Sequence, residues 1–338
     1  MKKLLLLLIF TLGLGLVVFI NPVIRSNIAY LLNPSLRDNV LSSTKSPSIW
    51  NTPPYATPNP TVSILPTEGA RGIPFGAYGN TVDLFGNPFT GGLISLKPND
   101  FALSKSVLDQ AKAKKVRVVI ALVGERTNFQ NADKSFSLSK WKAQLDRWKD
   151  FDFSPYISSG TIIGFRMIDE PQDSCGNWNC KPIPYSDIEA AAAYSKSLWP
   201  KLPTGVGSNP CFLKGGAPWK SLDFVLIPFT EKKLNARDDC DNVFTNAADF
   251  AKKTSAQASA IGLKFALDPN VTHGGTPNGN SITAANLESD VRAFSAMRPC
   301  AVLMWDYDQS YFSQSSVSTV VNRLATLLSN LPSSSCSR

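Results

Sequence analysis

Two apolar runs, VRVVIALVG at residues 116–124 and GTIIGFRMI at residues 160–168, have the length and composition of strands that are buried on both faces. Similar runs recur along the chain, and most are separated by segments with helical spacing of apolar residues, which predicts repeated βα units. The eight predicted strands cover Ile73 to Tyr78, Gly92 to Leu96, Val116 to Val123, Thr161 to Ile168, Thr204 to Ser208, Phe224 to Phe229, Leu263 to Leu267 and Ala301 to Trp305. The six predicted helices cover Leu103 to Lys115, Leu138 to Lys149, Ser186 to Leu198, Ala247 to Ile261, Ala284 to Met297 and Ser316 to Ser329.

Repeated βα units are the pattern of an α/β fold, and a segment of about 265 residues is the ordinary size of one (β/α)8 barrel of the TIM type. The sequence therefore predicts a single barrel domain at residues 73–338. An open doubly wound sheet is the alternative fold, but no Gly-rich GxGxxG turn follows the first predicted strand to support it.

The residues before the barrel divide into two parts. Lys2 and Lys3 precede an apolar run from Leu4 to Ile20, so residues 1–32 are predicted to be a signal peptide or a membrane anchor. Residues 33–72 are rich in Pro, Ser and Thr and are predicted to be an extended linker, part of which could pack against the underside of the barrel. Whether the first segment is cleaved or retained, the barrel is expected outside the cytoplasm, either secreted or anchored to the membrane.

Six cysteines fit an oxidising compartment, in which disulfides persist. Their spacing contains no CxxC motif, so we expect disulfides rather than a metal or redox site. The preferred pairing closes three local loops, Cys175 with Cys180, Cys211 with Cys240 and Cys300 with Cys336, while the other connectivities stay open. A bond between the first two would stiffen the loop that carries Trp178 and present this side chain to a substrate. Packing of Trp178 over a neighbouring helix is the alternative.

Charge and histidine content exclude several classes of function. The net charge of +8 is spread along the chain, and its densest group, Lys112 to Arg117, falls where a helix runs into a strand, which is typical of a solvated helix end and not of nucleic-acid binding. With a single histidine, His273, the chain cannot assemble a multi-histidine zinc site or supply the histidine base that a serine or cysteine nucleophile usually needs. We therefore expect no metal and no cofactor. His273 follows the seventh strand in a Gly-rich loop, where it is either a substrate contact or an ordinary polar residue.

The fourth predicted strand ends in an Asp-Glu-Pro motif that begins at Asp169. The carboxyl ends of barrel strands are where catalytic residues lie in this fold. Strict alternation along the strand predicts that Arg166, Ile168 and Glu170 point into the barrel. Glu170 is then a candidate catalytic acid at the mouth of a pocket, and Arg166 is a candidate substrate contact. A solvated loop acid beside a turn proline is the alternative for Glu170.

Strands seven and eight add a carboxylate and aromatic side chains at the same rim. Alternation places Asp268 inward at the end of the seventh strand. The eighth strand leads into Trp305, Asp306 and Tyr307, and an aromatic at the rim offers the apolar face with a hydrogen-bonding edge that a sugar ring needs. Tyr78, at the end of the first strand, is a further candidate stacking surface. The alternatives are packing of Trp305 in the upper layer of the barrel and capping of the following loop by Asp306.

These motifs resemble the barrel glycoside hydrolases of the cellulase and β-galactosidase clan. In that clan a Glu on strand four, preceded by Asn, is the acid/base, and a Glu on strand seven is the nucleophile. The resemblance implies the first role for Glu170, while Asp169 replaces the Asn and Asp268 stands where the second Glu would be. The Asp-Glu pair also resembles the barrel hexosaminidases that use substrate assistance, in which the Glu protonates the leaving oxygen and the Asp orients the acetamido group of the substrate.

The resemblance implies an extracytoplasmic glycoside hydrolase that acts on a poly- or oligosaccharide. Glu170 is the expected general acid, and either Asp268, or Asp169 with the help of the substrate, stabilises the oxocarbenium-like state. A buried Glu170 would have a raised pKa, while a partner near Arg166 or Lys264 would stay ionised.

Two other classes stay open. One is a non-catalytic carbohydrate-binding barrel that stacks sugars on Trp305, Tyr307 and Tyr78. The other is a structural protein of the cell envelope with a vestigial pocket. Fold alone does not decide between these classes, because one fold hosts many functions.

Overall fold

The computed structural model describes residues 72–338, apart from residues 80, 173, 239, 273 and 274. The predicted signal or anchor segment at residues 1–32 lies outside this part of the chain, as do the predicted linker except for its last residue, and His273. Among the described residues, no helix combines the length and the apolar character that crossing a membrane requires.

Eight parallel strands form the centre of the fold. They are β1 (Phe75–Ala77), β2 (Gly91–Ser95), β3 (Arg117–Ala121), β4 (Ile162–Asp169), β5 (Thr204–Gly207), β6 (Phe224–Phe229), β7 (Lys264–Pro269) and β8 (Val302–Met304). Their order in the sheet is β1-β8-β7-β6-β5-β4-β3-β2, and a parallel bridge between Tyr78 and Leu93 joins its two ends. The prediction of a parallel eight-stranded α/β barrel is therefore confirmed.

Helices cover the outside of the barrel. They are α1 (Phe101–Ala113), α2 (Leu138–Asp146), α3 (Ser154–Ser158), α4 (Ser174–Asn177), α5 (Tyr185–Leu198), α6 (Pro210–Leu213), α7 (Ala247–Ala260), α8 (Ala284–Ser295), α9 (Gln309–Phe312) and α10 (Ser315–Ser329). Helix α1 begins at Phe101, before its predicted start, because the Asp100 side chain accepts a hydrogen bond from the Leu103 amide and caps the helix there. Between β1 and β2 the described residues contain a 3-10 turn, Val82–Leu84, instead of a longer helix.

The barrel contains an inner and an outer hydrophobic layer. The inner layer includes Leu93, Val119, Leu226, Ala266 and Leu303. Phe224 is a large inner side chain, and its ring lies against Gly164 and Gly205, where an added Cβ would collide with it. Strands β4 and β5 therefore carry glycine at these positions. Truncating a buried phenylalanine of this kind to alanine typically costs about 3–5 kcal/mol.

The three predicted disulfides are all present, which confirms the preferred pairing. Cys300 precedes β8, and both Cys300 and Cys336 belong to the inner layer. The C-terminal segment therefore packs across the N-terminal end of the barrel. Arg338 fastens the end of this segment by donating to the carbonyl oxygens of Trp219 and Lys220, at 2.7 and 2.6 Å.

Candidate active site

A cavity opens at the carboxyl ends of the strands. Its volume of about 500 Å³ is within the range of small-molecule sites. Of the residues predicted from the sequence, its lining includes Tyr78, Arg166, Asp169, Trp178, Trp305, Asp306 and Tyr307. Glu170 and Asp268 are not lining residues of this cavity, but each contacts a residue that is: Glu170 lies beside Arg126, and Asp268 accepts a hydrogen bond from Tyr78. Most of the candidate site is thus brought together at one end of the barrel.

A β-bulge determines which side chains of β4 reach the cavity. The pairing with β5 shifts in register between Arg166 and Ile168, so that β4 bends out of strict alternation there. Ile168 pairs with Val206 and belongs with it to the outer hydrophobic layer, yet Ile168 and Asp169 both contribute to the lining of the cavity. Alternation correctly placed Arg166 and Ile168 at the cavity, but it did not place Asp169 there. As a result Asp169, and not Glu170, takes the next inward position.

The carboxylate of Asp169 forms an ion pair with Arg166, a largely buried residue of the same strand. Its Oδ2 accepts a hydrogen bond of 2.9 Å from Nη1 of Arg166, whose side chain is 14% exposed. The carboxylate also lies over Gly207, where a Cβ would collide with Oδ1. The Arg166 guanidinium lies 4.9 Å from the centre of the Tyr78 ring, which favours a cation at this position. One carboxylate of the cavity wall is therefore ion-paired and held in one orientation.

Glu170 lies at the rim, directly after β4. Its backbone is left-handed, with φ of 50°, and its N–H donates to the Gly207 carbonyl at 2.7 Å. Its Oε2 accepts a hydrogen bond of 2.9 Å from Nδ2 of Asn177 and lies 3.7 Å from a guanidinium nitrogen of Arg126. The side chain is 46% exposed, so the expectation of a buried Glu170 is wrong. The bend in the backbone carries it to the surface of the rim, where a substrate can reach it.

Asp268, not Glu170, is the buried acid of the site. It is 8% exposed, and its Oδ2 accepts a hydrogen bond of 2.9 Å from the Tyr78 hydroxyl. Burial raises the pKa of Asp268 to about 8, and the charge of Asp169 adds to this rise, while the Tyr78 hydrogen bond and the Arg166 charge oppose it. Burial outweighs the Arg166 charge at this position, so the expectation of an ionised carboxylate does not hold for Asp268, whereas the carboxylate that pairs directly with Arg166 is Asp169. Burial and the Asp268 charge also raise the pKa of Tyr78 well above its ordinary value.

The aromatic side of the rim is formed by the segment after β8. Trp305 is 40% exposed and packs edge-to-face against Tyr78, with ring centres 4.9 Å apart, and the Trp305–Asp306 peptide bond is cis. Oδ1 of Asp306 accepts a hydrogen bond of 2.8 Å from the Thr272 hydroxyl, which links this segment to the loop after β7. Tyr307 donates its N–H to the Tyr78 carbonyl at 2.9 Å. Trp305 therefore offers an open face at the rim, while Tyr78 is buried and does not.

Trp178 borders the cavity, as predicted, but it is almost completely buried there. It is 1% exposed, and its ring packs against Phe129 and Phe136 under the guanidinium of Arg126. Its Nε1 donates to the Glu170 carbonyl at 2.9 Å. A side chain this buried has no free face for a sugar, so Trp178 supports the backbone of the rim instead.

Three residues of the site were not identified from the sequence: Arg126, Asn177 and Thr272. Arg126 and Thr272 lie in loops with no periodic pattern, so no local signal marks them. Asn177 lies inside the loop CGNWNC, and its position in a disulfide-closed ring next to the acid was the available signal. As for a metal, the part of the chain that is described contains no group of three His, Cys, Asp or Glu residues that could hold one.

Comparisons with known proteins show similarity in fold. No family model matches the sequence, and no curated protein matches it in sequence. The endo-1,4-β-D-mannanase from Thermotoga petrophila has a TM-score of 0.51 at 12% identity, over 76% of this chain and 99% of that one. A putative α-L-fucosidase from Bacteroides thetaiotaomicron has a TM-score of 0.51 at 11% identity, over 81% and 99%. The glycoside hydrolase family 30 subfamily 8 xylanase from Clostridium acetobutylicum has a TM-score of 0.50 at 12% identity, over 77% and 73%. These three neighbours are glycoside hydrolases, the class that the sequence motifs resemble, and at this level of identity the likeness is one of fold.

Proposed function

We propose that the protein is a glycoside hydrolase that cleaves a poly- or oligosaccharide at the carboxyl ends of the barrel strands. The observation that carries the proposal is a pair of adjacent carboxylates, Asp169 and Glu170, each beside a guanidinium group, with Asp169 in the lining of the same cavity as the exposed indole of Trp305. Glycosidic hydrolysis needs a proton donor, a group that stabilises positive charge at the anomeric carbon, and an apolar face for the ring. The similar folds of a mannanase, a xylanase and a fucosidase support a carbohydrate substrate.

Glu170 is the proposed proton-transfer group. Its carboxyl is accessible at the rim and is held by Asn177, so an incoming glycosidic oxygen can meet it without rearrangement of the barrel. In the first step the carboxylic acid donates a proton to the leaving oxygen. In the second step the carboxylate takes a proton from the attacking water.

The geometry favours Asp169 over Asp268 as the second carboxylate. Oδ1 of Asp268 has neither exposed surface nor a hydrogen-bond partner, and a pKa of about 8 keeps the group protonated at neutral pH. An enclosed, protonated carboxyl cannot attack an anomeric carbon. Asp169 lines the cavity and is ion-paired with Arg166, so it is suited to stabilise positive charge.

This choice favours the substrate-assisted scheme. The acetamido oxygen of a 2-acetamido sugar would form the bond to the anomeric carbon while the leaving oxygen takes the proton of Glu170. Asp169 would accept a hydrogen bond from the acetamido N–H and offset the charge that develops on this group. Water then opens the cyclic intermediate and yields the sugar with retained configuration.

We place the activity outside the cytoplasm. Three disulfides are typical of an oxidising compartment. The Lys-flanked apolar segment at residues 1–32 supports export, either as a signal peptide or as an anchor in the membrane.

A carbohydrate-binding barrel without hydrolysis is the second candidate, and the enclosure of Asp268 favours it because strand seven then supplies no nucleophile. The cavity of about 500 Å³ argues against the third class, a structural protein with a vestigial pocket. Binding would use the open face of Trp305. His273, which lies outside the described residues, stays a predicted substrate contact.

The test is digestion of a panel of oligosaccharides, with and without 2-acetamido groups, by the purified protein, measured as release of new reducing ends. We expect cleavage of the acetamido substrates. Asp169→Asn should lower kcat by about 100-fold or more, as expected when an oriented charge-stabilising group is lost, and Asp268→Asn should lower it far less. Binding without cleavage by any member of the panel would favour the second candidate. If Asp268→Asn loses more kcat than Asp169→Asn, then Asp268 and not Asp169 is the second carboxylate.

A further inference from the structure

A small covalent ring lies directly beside the proposed acid. The disulfide between Cys175 and Cys180 closes residues 175–180, soon after the end of β4. Asn179 and Cys180 both have left-handed backbone, with φ of 55° and 56°, which turns the chain back on itself inside the ring. Asn177, at the end of α4, is part of this ring.

Asn177 is the ring residue that reaches the carboxylate of Glu170. Its Nδ2 donates to Oε2 at 2.9 Å, and its Oδ1 accepts a hydrogen bond from Arg126, whose guanidinium also lies 3.7 Å from the same Oε2. Nε2 of Gln130 donates to the backbone carbonyl of Asn177 at 2.6 Å, and Trp178 donates to the backbone carbonyl of Glu170. Both ends of the Asn177 amide are therefore used, and the reverse orientation would place its carbonyl against a carboxylate.

We infer that Asn177 is a positioning residue that holds the carboxyl of Glu170 at the rim, and that the disulfide ring holds Asn177 in place. The inference rests on the proposed role of Glu170 in proton transfer. Because the Glu170 side chain is half exposed, packing does little to fix its rotamer, and the amide of Asn177 is the short hydrogen bond that does so.

Arg126, in the turn after β3, contacts both partners of this hydrogen bond: it donates to Oδ1 of Asn177 and lies 3.7 Å from Oε2 of Glu170. Substitution of Asn177 therefore removes a partner of Arg126 as well as the amide donor to Glu170. The effect of such a substitution reports the loss of both contacts.

The first experiment measures kcat and KM for wild type, Asn177→Ala and Asn177→Asp. Asn177→Ala should lower kcat by about 10-fold to 100-fold, the size expected for a lost hydrogen bond to a charged group, with KM nearly unchanged. Asn177→Asp keeps the shape of the side chain but replaces the amide donor with a negative charge beside the Glu170 carboxylate, so it should lower kcat at least as much as Asn177→Ala. The matched control is Asn179→Gly, which keeps the left-handed backbone of the same ring and should leave kcat and KM unchanged.

The second experiment removes the ring. The double variant Cys175→Ser with Cys180→Ser should lose kcat to a similar extent as Asn177→Ala. The triple variant, which combines Asn177→Ala with both cysteine substitutions, should lose no more kcat than Asn177→Ala or the cysteine pair alone, because both changes act through the same ring. The pair Cys300→Ser with Cys336→Ser, at the opposite end of the barrel, is the control that removes a disulfide without lowering kcat.

The outcomes separate this inference from the proposed function. If Glu170→Gln is as active as wild type, Glu170 is not the proton-transfer group and the proposed function fails. If Glu170→Gln is inactive while Asn177→Ala and Asn177→Asp keep the wild-type kcat, the proposed function stands and the positioning role of Asn177 is overturned. If the losses of kcat caused by removing the disulfide and by Asn177→Ala are additive, the proposed role of the disulfide is overturned.

Discussion

The buried carboxyl of Asp268 should make the stability of the barrel depend on pH, and Asp268→Asn is the substitution that reveals it. The pKa of this group is 3.8 in its ordinary state and about 8 in the folded protein, with burial as the main cause. Because the folded-state pKa is raised, the stabilising contribution belongs to the protonated form. It is fully present below about pH 3.8 and is lost as the pH rises through about 8. Asparagine is neutral at every pH and has nearly the same shape, so the variant lacks this dependence.

The size of the effect follows from the two pKa values. Between about pH 5 and about pH 8 the unfolded chain has released this proton and the folded chain largely keeps it, so the wild-type free energy of unfolding falls by roughly 3–4 kcal/mol relative to the variant. Asp290, whose pKa burial raises to about 7, titrates in both proteins and cancels in the difference. The free energy of unfolding of the variant should therefore increase relative to that of wild type as the pH rises.

Urea denaturation at both pH values, with the disulfides intact, measures this difference. We expect Asp268→Asn to have nearly the wild-type stability, or a slightly higher one, at the lower pH and to be clearly more stable than wild type at the higher pH. Asp290→Asn, a second buried acid on α8, is a control that should show a smaller change, because the pKa of Asp290 is raised less. An equal difference between Asp268→Asn and wild type at the two pH values would refute the reasoning, since it would mean that Asp268 is ionised in the folded protein.

Three further predictions concern the rim and the base of the barrel. Trp305→Ala should weaken oligosaccharide binding by about 1–3 kcal/mol in calorimetry if a ring stacks on the indole, and an unchanged Kd would exclude stacking there. Replacing Cys300 and Cys336 by serine should lower the free energy of unfolding by about 4 kcal/mol, the value that chain entropy gives for a loop of this length. An unchanged denaturation midpoint would contradict a stabilising role for this disulfide. Tyr78→Phe should cost about 1–3 kcal/mol in urea denaturation, because it leaves Oδ2 of Asp268 buried without a donor, and this cost should shrink in the Asp268→Asn background.

Local patterns in the sequence predicted the architecture well, because each strand and helix is specified by its own neighbours. Continuous apolar runs gave the positions of all eight strands, and helical spacing gave the six longer helices. The disulfides were predicted because each closes a local loop. Helix α1 starts earlier than predicted because of a single capping side chain, Asp100.

The site could be predicted only in part, because its chemistry depends on pairing between distant segments. The inward position of Asp169 results from the register shift between β4 and β5, which alternation within one strand cannot reveal. The raised pKa of Asp268 results from burial beneath Tyr78, a residue 190 positions away in the chain. Glu170 reaches the rim because its backbone bends into the left-handed region, a conformation that non-glycine residues rarely adopt.

The rate of Glu170→Gln on two substrates that differ only in their leaving group tests the central claim most directly. A general acid matters most when the leaving oxygen is basic, as in an oligosaccharide, and least when it leaves readily, as in a dinitrophenyl glycoside. We predict that Glu170→Gln lowers kcat/KM by about 100-fold or more on the oligosaccharide and much less on the dinitrophenyl glycoside of the same sugar. Wild-type rates on both substrates, or equal losses on both, would contradict the assignment of Glu170 as the proton donor.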